Sequence, residues 1–451
     1  MLGHFRSLAR YPLARRVISS LLANGVRVVL QAGTGLILAR LLGASDLGTY
    51  AWAMAISALM VVPAQFGTST LLIKESAAAV AEGDQSKLKA LWLWTLKTTA
   101  VASVVSIALL LGAIFAFQEH ISTLDWRVFL LAVAVIPFAV LINLGEAALQ
   151  GTGNTSAGLM AGYYVRPLLF IGLLLSIWAS VWAVDPVNAM LAQLVAHALA
   201  AVTVVIQMRR IHGETLSATP SPASVSTGWR GTAMSFLLIH GQWVVLAQMD
   251  ILILGAMSSA EQVGLYRVAS LAAGFVVIGT LAMRGVFNER LSNAWTTGDT
   301  QLFKDRAALG CMMASAVGLP IAAVFVFFGA EFLGFAFGAE FETADTVLLI
   351  LTLGQVALLL RGSADAALAM TGHERAIGRM TTISVIVNLV LNLALIPIFG
   401  ATGAAAATAI ALSVQSVQMW WLARRTLKVD MGFLASILPT ARMVRRKLGL
   451  S

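Results

Sequence analysis

The chain has 451 residues, 59% of them hydrophobic and only 11% charged, yet its net charge is +9. Soluble proteins average about 25% charged residues, so this composition excludes a soluble enzyme, a disordered chain and a nucleic-acid-binding module. The solvent of such a chain is mostly lipid. A single cysteine, Cys311, excludes an internal disulfide framework and a cysteine-based metal cluster.

Residues 1–16 are basic, contain Pro12 and lack an obvious small-residue cleavage site. They read as a cytoplasmic lead-in and not as a cleaved signal peptide. A helix needs about 20 apolar residues to cross a hydrocarbon core about 30 Å thick. Windows of that size predict about twelve spans: 18–41, 49–72, 91–117, 128–149, 156–181 and 188–208, then 232–257, 264–285, 307–330, 343–370, 377–399 and 401–423. The polar stretch between the two sets, with Pro220, Pro222 and several Ser and Thr, reads as a linker. The expected organisation is therefore a six-helix bundle at 1–208, a cytoplasmic linker at 209–231, a second six-helix bundle at 232–425 and a basic cytoplasmic tail at 426–451.

The loops test this count. Of the 30 basic residues, 22 fall in loops on one side and one, Arg127, falls on the other. Cytoplasmic loops carry the excess of Lys and Arg. Both termini are thereby expected in the cytoplasm.

The two halves echo each other. Leu47-Gly48-Thr49-Tyr50 after span one is matched by Val263-Gly264-Leu265-Tyr266 after span seven, an offset of 216. Gln150-Gly151-Thr152-Gly153 is matched by Met370-Thr371-Gly372 at an offset of 219, aligning Gly153 with Gly372. Six spans per half give parallel repeats about a pseudo-two-fold axis along the membrane normal, an arrangement of transporters with a central cavity.

Charged and polar residues inside spans are costly and face a protein interior or a wet cavity. Span one carries a polar stripe of Asn24, Arg27, Gln31 and Thr34 at helical spacing. Span four presents Asn143, Glu146 and Gln150 on one face. Span five has Arg166 next to Pro167, which is expected to kink it. Arg267 and Arg284 lie near opposite ends of span eight, and Arg361 and Asp365 are spaced for an ion pair in span ten. The functional reading is a cationic cavity for an anion, because a guanidinium stays charged and contacts phosphate oxygens in pairs. The bland reading assigns each charge a structural role; Arg40 and Lys97, near span ends, read as snorkelling side chains. Glu146, Asp250 and Asp365 are candidates for ion coupling or simple counter-ions, and His240 reads as a hydrogen-bonding core residue. Pro63, Pro137, Pro320 and Pro397 are expected to kink their spans.

No Walker A motif, no HExxH and no convincing catalytic triad are present, so the chain reads as a transporter and not an enzyme, with no metal and no cofactor. Leu38-Ala39-Arg40-Leu41-Leu42-Gly43 with Asp46-Leu47-Gly48-Thr49-Tyr50 resembles the polysaccharide-exporter and O-antigen flippase family. Asp250–Gly255 followed by Val263–Tyr266, then Phe337–Phe341 with Ala344, and Gly400–Thr408 resemble further segments of it. The matches spread over about residues 20–425 in the family's order. The resemblance implies the multidrug/oligosaccharidyl-lipid/polysaccharide (MOP) superfamily, two six-helix bundles and alternating access. It implies a substrate of undecaprenyl-pyrophosphate-linked oligosaccharide, used in lipopolysaccharide O-antigen or exopolysaccharide synthesis, and arginines of the Arg27 kind on the pyrophosphate.

The expected function is then a flippase for that lipid-linked oligosaccharide. The diphosphate would sit on Arg27, Arg166 and some of Arg267, Arg284 and Arg361, with Asn24 and Gln31 beside it. Membrane lipids and a polysaccharide polymerase complex are the further partners. Two alternatives stay open: a cation-coupled multidrug antiporter of the same superfamily, and a non-transporting scaffold of a polysaccharide assembly complex.

Overall fold

In a computed structural model of the protein, the backbone is described for residues 12–116, 125–180, 184–217, 219, 228–437 and 440. Side chains are described from residue 29 onward, apart from 239, 282, 284–286 and 289. All regular structure among these residues is helical. The order is α1 (Pro12–Gln65), α2 (Thr68–Glu82), α3 (Gln85–Ala116), α4 (Trp126–Gly151), α5 (Thr155–Met160), a π-helical turn (Ala161–Val165), α6 (Arg166–Trp178), α7 (Pro186–Ile211) and the short α8 (Gly213–Ser217). Then follow α9 (Trp229–Met257), α10 (Ala260–Ala273), a 3₁₀ turn (Gly274–Val277), α11 (Ile278–Thr296), α12 (Thr300–Phe337), a second 3₁₀ turn (Ala339–Ala344), α13 (Asp345–Leu360), α14 (Ala364–Met370) and α15 (Glu374–Leu427).

Among the described residues ten helical runs are long and apolar enough to cross a membrane, so this is a multi-pass membrane protein. Two of the ten contain two crossings each. Helices α1 and α15 have 54 residues apiece, about 80 Å at 1.5 Å per residue, against a core of about 30 Å. Each is broken at one glycine: Gly43 (φ 75°, ψ 177°) and Gly400 (φ 56°, ψ −131°). Divided there, the ten runs become the twelve spans read from hydropathy.

Most breaks in helical geometry do not fall at the prolines. No residue around Pro137 or Pro320 leaves helical geometry. The break in α12 is at Phe328, and that in α15 is at Gly400, three residues beyond Pro397. Only near Pro63 does a helix stop, where Phe66 and Gly67 turn left-handed (φ 51° and 66°). A proline removes one donor and leaves φ helical, whereas a reversal through positive φ needs glycine.

Packing divides the chain into two compact units, the first of residues Gly33–Gly264 and the second of the chain before and after it. In the first, α4 packs on α7, and α2 on α4. The face of α7 turned inward is a ladder of alanines, Ala189, Ala192, Ala196 and Ala200, all buried, while Leu191, Val195, Leu199 and Val202 are exposed. This is the arrangement lipid demands: large apolar groups gain nothing by leaving hydrocarbon, so small residues let helices approach. In the second unit, α11 packs on α12 and α13 on α15, around Leu291, Phe303, Ala364, Leu368, Met419 and Leu427.

The sequence echoes are structural. A side chain on Gly48 would collide with the backbone of Ala260, and one on Gly264 with the backbone of Ala44. Ala44 and Ala260 are themselves 216 apart, so the two copies of the repeat meet by an exchange of identical contacts within the first unit. The second echo is a pair of elbows. Gly153 and Gly372 have φ of 85° and 83°. The Thr152 hydroxyl donates to the carbonyls of Ala148 and Leu149, and the Thr371 hydroxyl to those of Ala367 and Leu368. Each threonine also meets an imidazole at 2.9 Å, His212 just past the end of α7 in one elbow and the local His373 in the other.

Candidate substrate cavity

The polar face of α4 sets the site. Asp125 caps its N-terminus by accepting from the Arg127 N–H at 3.0 Å. Glu146 lies near the other end, 7% exposed. A buried carboxylate needs donors, and Glu146 Oε1 accepts the backbone N–H of Gly162 at 2.9 Å. Gly162 belongs to the π-helical turn. Pro167 has no N–H to return to the preceding turn, and the helix widens just before it, with the Arg166 N–H reaching back to Ala161 O. The expected kink at Pro167 thus takes the form of a π-bulge, a feature frequent at functional sites. Gly162 is required there, because a Cβ would strike the Glu146 carboxylate.

The same bulge aims Arg166. Its half-buried guanidinium lies 3.2 Å from His197 Nε2, and His197 Nδ1 lies 2.8 Å from the Gln193 carbonyl. A carbonyl only accepts, which places the imidazole proton on Nδ1 and leaves Nε2 to accept from Arg166. Glu146, Tyr50 and Tyr163 lie within electrostatic reach of the guanidinium, and Tyr50 stacks on Phe170 with ring centroids 6.3 Å apart.

A cavity of about 190 Å³ opens between the α1–α2 break, α4 and α9. Gln65, Ser69, Thr70, Asn143, Glu146, Gln150 and His240 supply its polar lining. Gly67 makes the enclosure possible: a Cβ on it would collide with Ala233 and Leu237 of α9. Ser69 Oγ is buried with no hydrogen-bond partner among the described residues. His240 is exposed; it faces this cavity and is not the core histidine expected from sequence. That part is taken by His197, which is 2% exposed.

In the second unit Arg361 and Asp365 form a buried ion pair at 2.9 Å. The pair bridges a break between α13 and α14 at Gly362 (φ 66°), where one continuous helix was expected. Arg361 also lines a cavity of about 370 Å³ with Leu360, Val417, Trp420 and Phe433.

The remaining candidates scatter. The side chains of Asn24, Arg27 and Arg284 lie outside the described residues. Gln31, Arg40 and Arg267 are exposed, and Asp250 is buried on α9. Sequence reasoning missed His197, Gln193, Gln65 and Ser69. Gln193 and His197 are i,i+4 on the alanine face of α7, which is a legible signal; their approach to Arg166 is not. Among the described residues no three His, Cys, Asp or Glu side chains are placed to hold a metal.

A sequence model of the polysaccharide biosynthesis protein family matches residues 13–286. The chain belongs to that family. Among curated proteins it is similar to the probable low-salt glycan biosynthesis flippase Agl15 of Haloferax volcanii, at 24% identity over 416 residues, 90% of this chain and 82% of the relative. Among solved structures it resembles an inward-facing multidrug resistance MATE family transporter of the MOP superfamily, with TM-score 0.72, 14% identity and coverage of 89% and 94%. It also resembles the lipid II flippase MurJ in an inward closed conformation, with TM-score 0.70, 13% identity and coverage of 93% and 89%. The polysaccharide family read from the glycine-containing motifs is borne out, and the structural likenesses establish the fold.

Proposed function

We propose that this family member is a flippase that carries an undecaprenyl-pyrophosphate-linked oligosaccharide from the cytoplasmic to the periplasmic leaflet by alternating access of two six-helix halves, 1–208 and 232–425. The observation that carries the reading is Arg166. A guanidinium at membrane depth is costly, and here it is kept by a neutral nitrogen acceptor and a nearby carboxylate, which leave its other N–H groups for a phosphate. The name of the haloarchaeal relative supports a glycan-linked substrate. The basic-loop asymmetry supports cytoplasmic termini in the inner membrane. Arg27 on the first span is the proposed second diphosphate ligand, and a proton or Na⁺ gradient or the membrane potential the drive.

Arg166→Ala is expected to abolish glycan export while the protein stays in the membrane at wild-type level. Arg166→Lys, which keeps the charge and loses the fork, should restore part of it. Undiminished export by Arg166→Ala would remove the proposed phosphate site. A second reading, cation-coupled drug export, is favoured by the carboxylate lining of the α4 cavity; drug efflux by vesicles with unchanged glycan export would establish it.

A further inference from the structure

The cavity at the end of α4 has a chemistry unlike that of a phosphate site. Its lining holds three side-chain amides, from Gln65, Asn143 and Gln150, the unpartnered hydroxyl of Ser69, the imidazole of His240 and the Glu146 carboxylate. No Lys or Arg is among the residues that line it. An amide offers two donors and an acceptor, the mixed set that vicinal hydroxyls require. A carboxylate accepts from hydroxyls and repels a diphosphate. About 190 Å³ holds several waters, at about 30 Å³ each, which is room for one pyranose ring and far more than a bare cation fills.

We infer that this cavity is a sugar subsite, taking one neutral monosaccharide unit of the glycan through its hydroxyl or N-acetyl groups. The inference rests on the flippase reading and separates two tasks within it. The guanidinium of Arg166 serves the anion; the amides and carboxylate of the α4 face serve the uncharged sugar. The position fits loading. Asn143, Glu146 and Gln150 lie in the last turns of α4, beside the Gly151–Asn154 turn, and Gly151 packs against Leu72, Ile73 and Ser76 of α2, next to the basic Lys74. In the proposed orientation that end faces the leaflet where the lipid-linked glycan is made.

The one native thiol is silent, because Cys311 is 3% exposed. Ile73 lines the cavity and is 39% exposed, so Ile73→Cys places a single reactive thiol at the subsite. The full-length variant in detergent would be labelled with a maleimide in the presence of a panel of free sugars: hexoses, N-acetylhexosamines, deoxyhexoses and uronic acids. Inorganic pyrophosphate, NaCl and KCl complete the panel. At least one neutral sugar is expected to slow labelling. Adding Gln65→Ala or Asn143→Ala should weaken that protection about tenfold, the loss of one or two hydrogen bonds. No protection by any sugar, or protection by pyrophosphate or by Na⁺ over K⁺, would overturn the subsite. The flippase reading fails separately, if Arg166→Ala exports glycan normally while sugars still protect the thiol.

Discussion

The two units each hold a cavity with one buried charge, and the charges have opposite sign. In the first, Glu146 sits among amides and hydroxyls, accepts one backbone N–H and has the Arg166 guanidinium within electrostatic reach. In the second, Arg361 sits among Leu360, Val417, Trp420 and Phe433 and is locked to Asp365. A charge paired within the protein is committed, and removing one partner strands the other. A carboxylate hydrogen-bonded through one oxygen and only reached by a cation keeps capacity for a ligand. The contrast therefore separates a structural clamp from a working surface, although both residues read alike in the sequence as ionisable groups inside spans.

The contrast can be broken by substitution. Arg361→Ala should have the largest effect, about 3–5 kcal/mol of stability, because the Asp365 carboxylate, 15% exposed in the pair, loses the guanidinium 2.9 Å away. Thermal unfolding in detergent would show it, and the double variant with Asp365→Ala should recover much of the loss; additive losses would argue against a clamp. Gly162→Ala comes next, at about 1–3 kcal/mol, since the added methyl meets the Glu146 carboxylate. Its melting temperature should fall together with export.

Glu146→Gln should cost within about 1 kcal/mol, because the amide oxygen still accepts from Gly162. Export should nevertheless change, and a melting temperature lowered as far as that of Arg361→Ala would erase the distinction between the two charges. The smallest effect is expected at the Thr152 elbow. Burial holds the His212 imidazole below its usual value of 6.5. The folded state then binds fewer protons than the unfolded one, so stability is full above about pH 6.5 and declines as pH falls below it. A His212→Gln variant should lose this acid sensitivity while wild type keeps it, read as the difference in melting temperature between pH 7.5 and 5.5.

Span positions were legible because a hydrocarbon slab imposes one length on every crossing. The sequence windows also separated the crossings on either side of the breaks at Gly43 and Gly400. The repeat was legible because glycines sit where backbones touch or turn. The face of α4 was legible from helical spacing alone, and Asn143, Glu146 and Gln150 do line one cavity. What spacing cannot give is the partner on another helix. His197 is 31 residues from Arg166, and Gln65 and Ser69 enter the cavity only because the chain reverses its backbone at Phe66 and Gly67.

The reciprocal contact of Gly48 and Gly264 has a consequence for the history of the chain. Each glycine is kept bare by the other copy's backbone, Ala260 in one case and Ala44 in the other. Duplicated halves elsewhere can drift apart one residue at a time. At this pair neither copy can gain a side chain unless the other copy's backbone retreats, so the two sites are bound to evolve as one locus, 216 residues apart in the sequence and in contact in the fold.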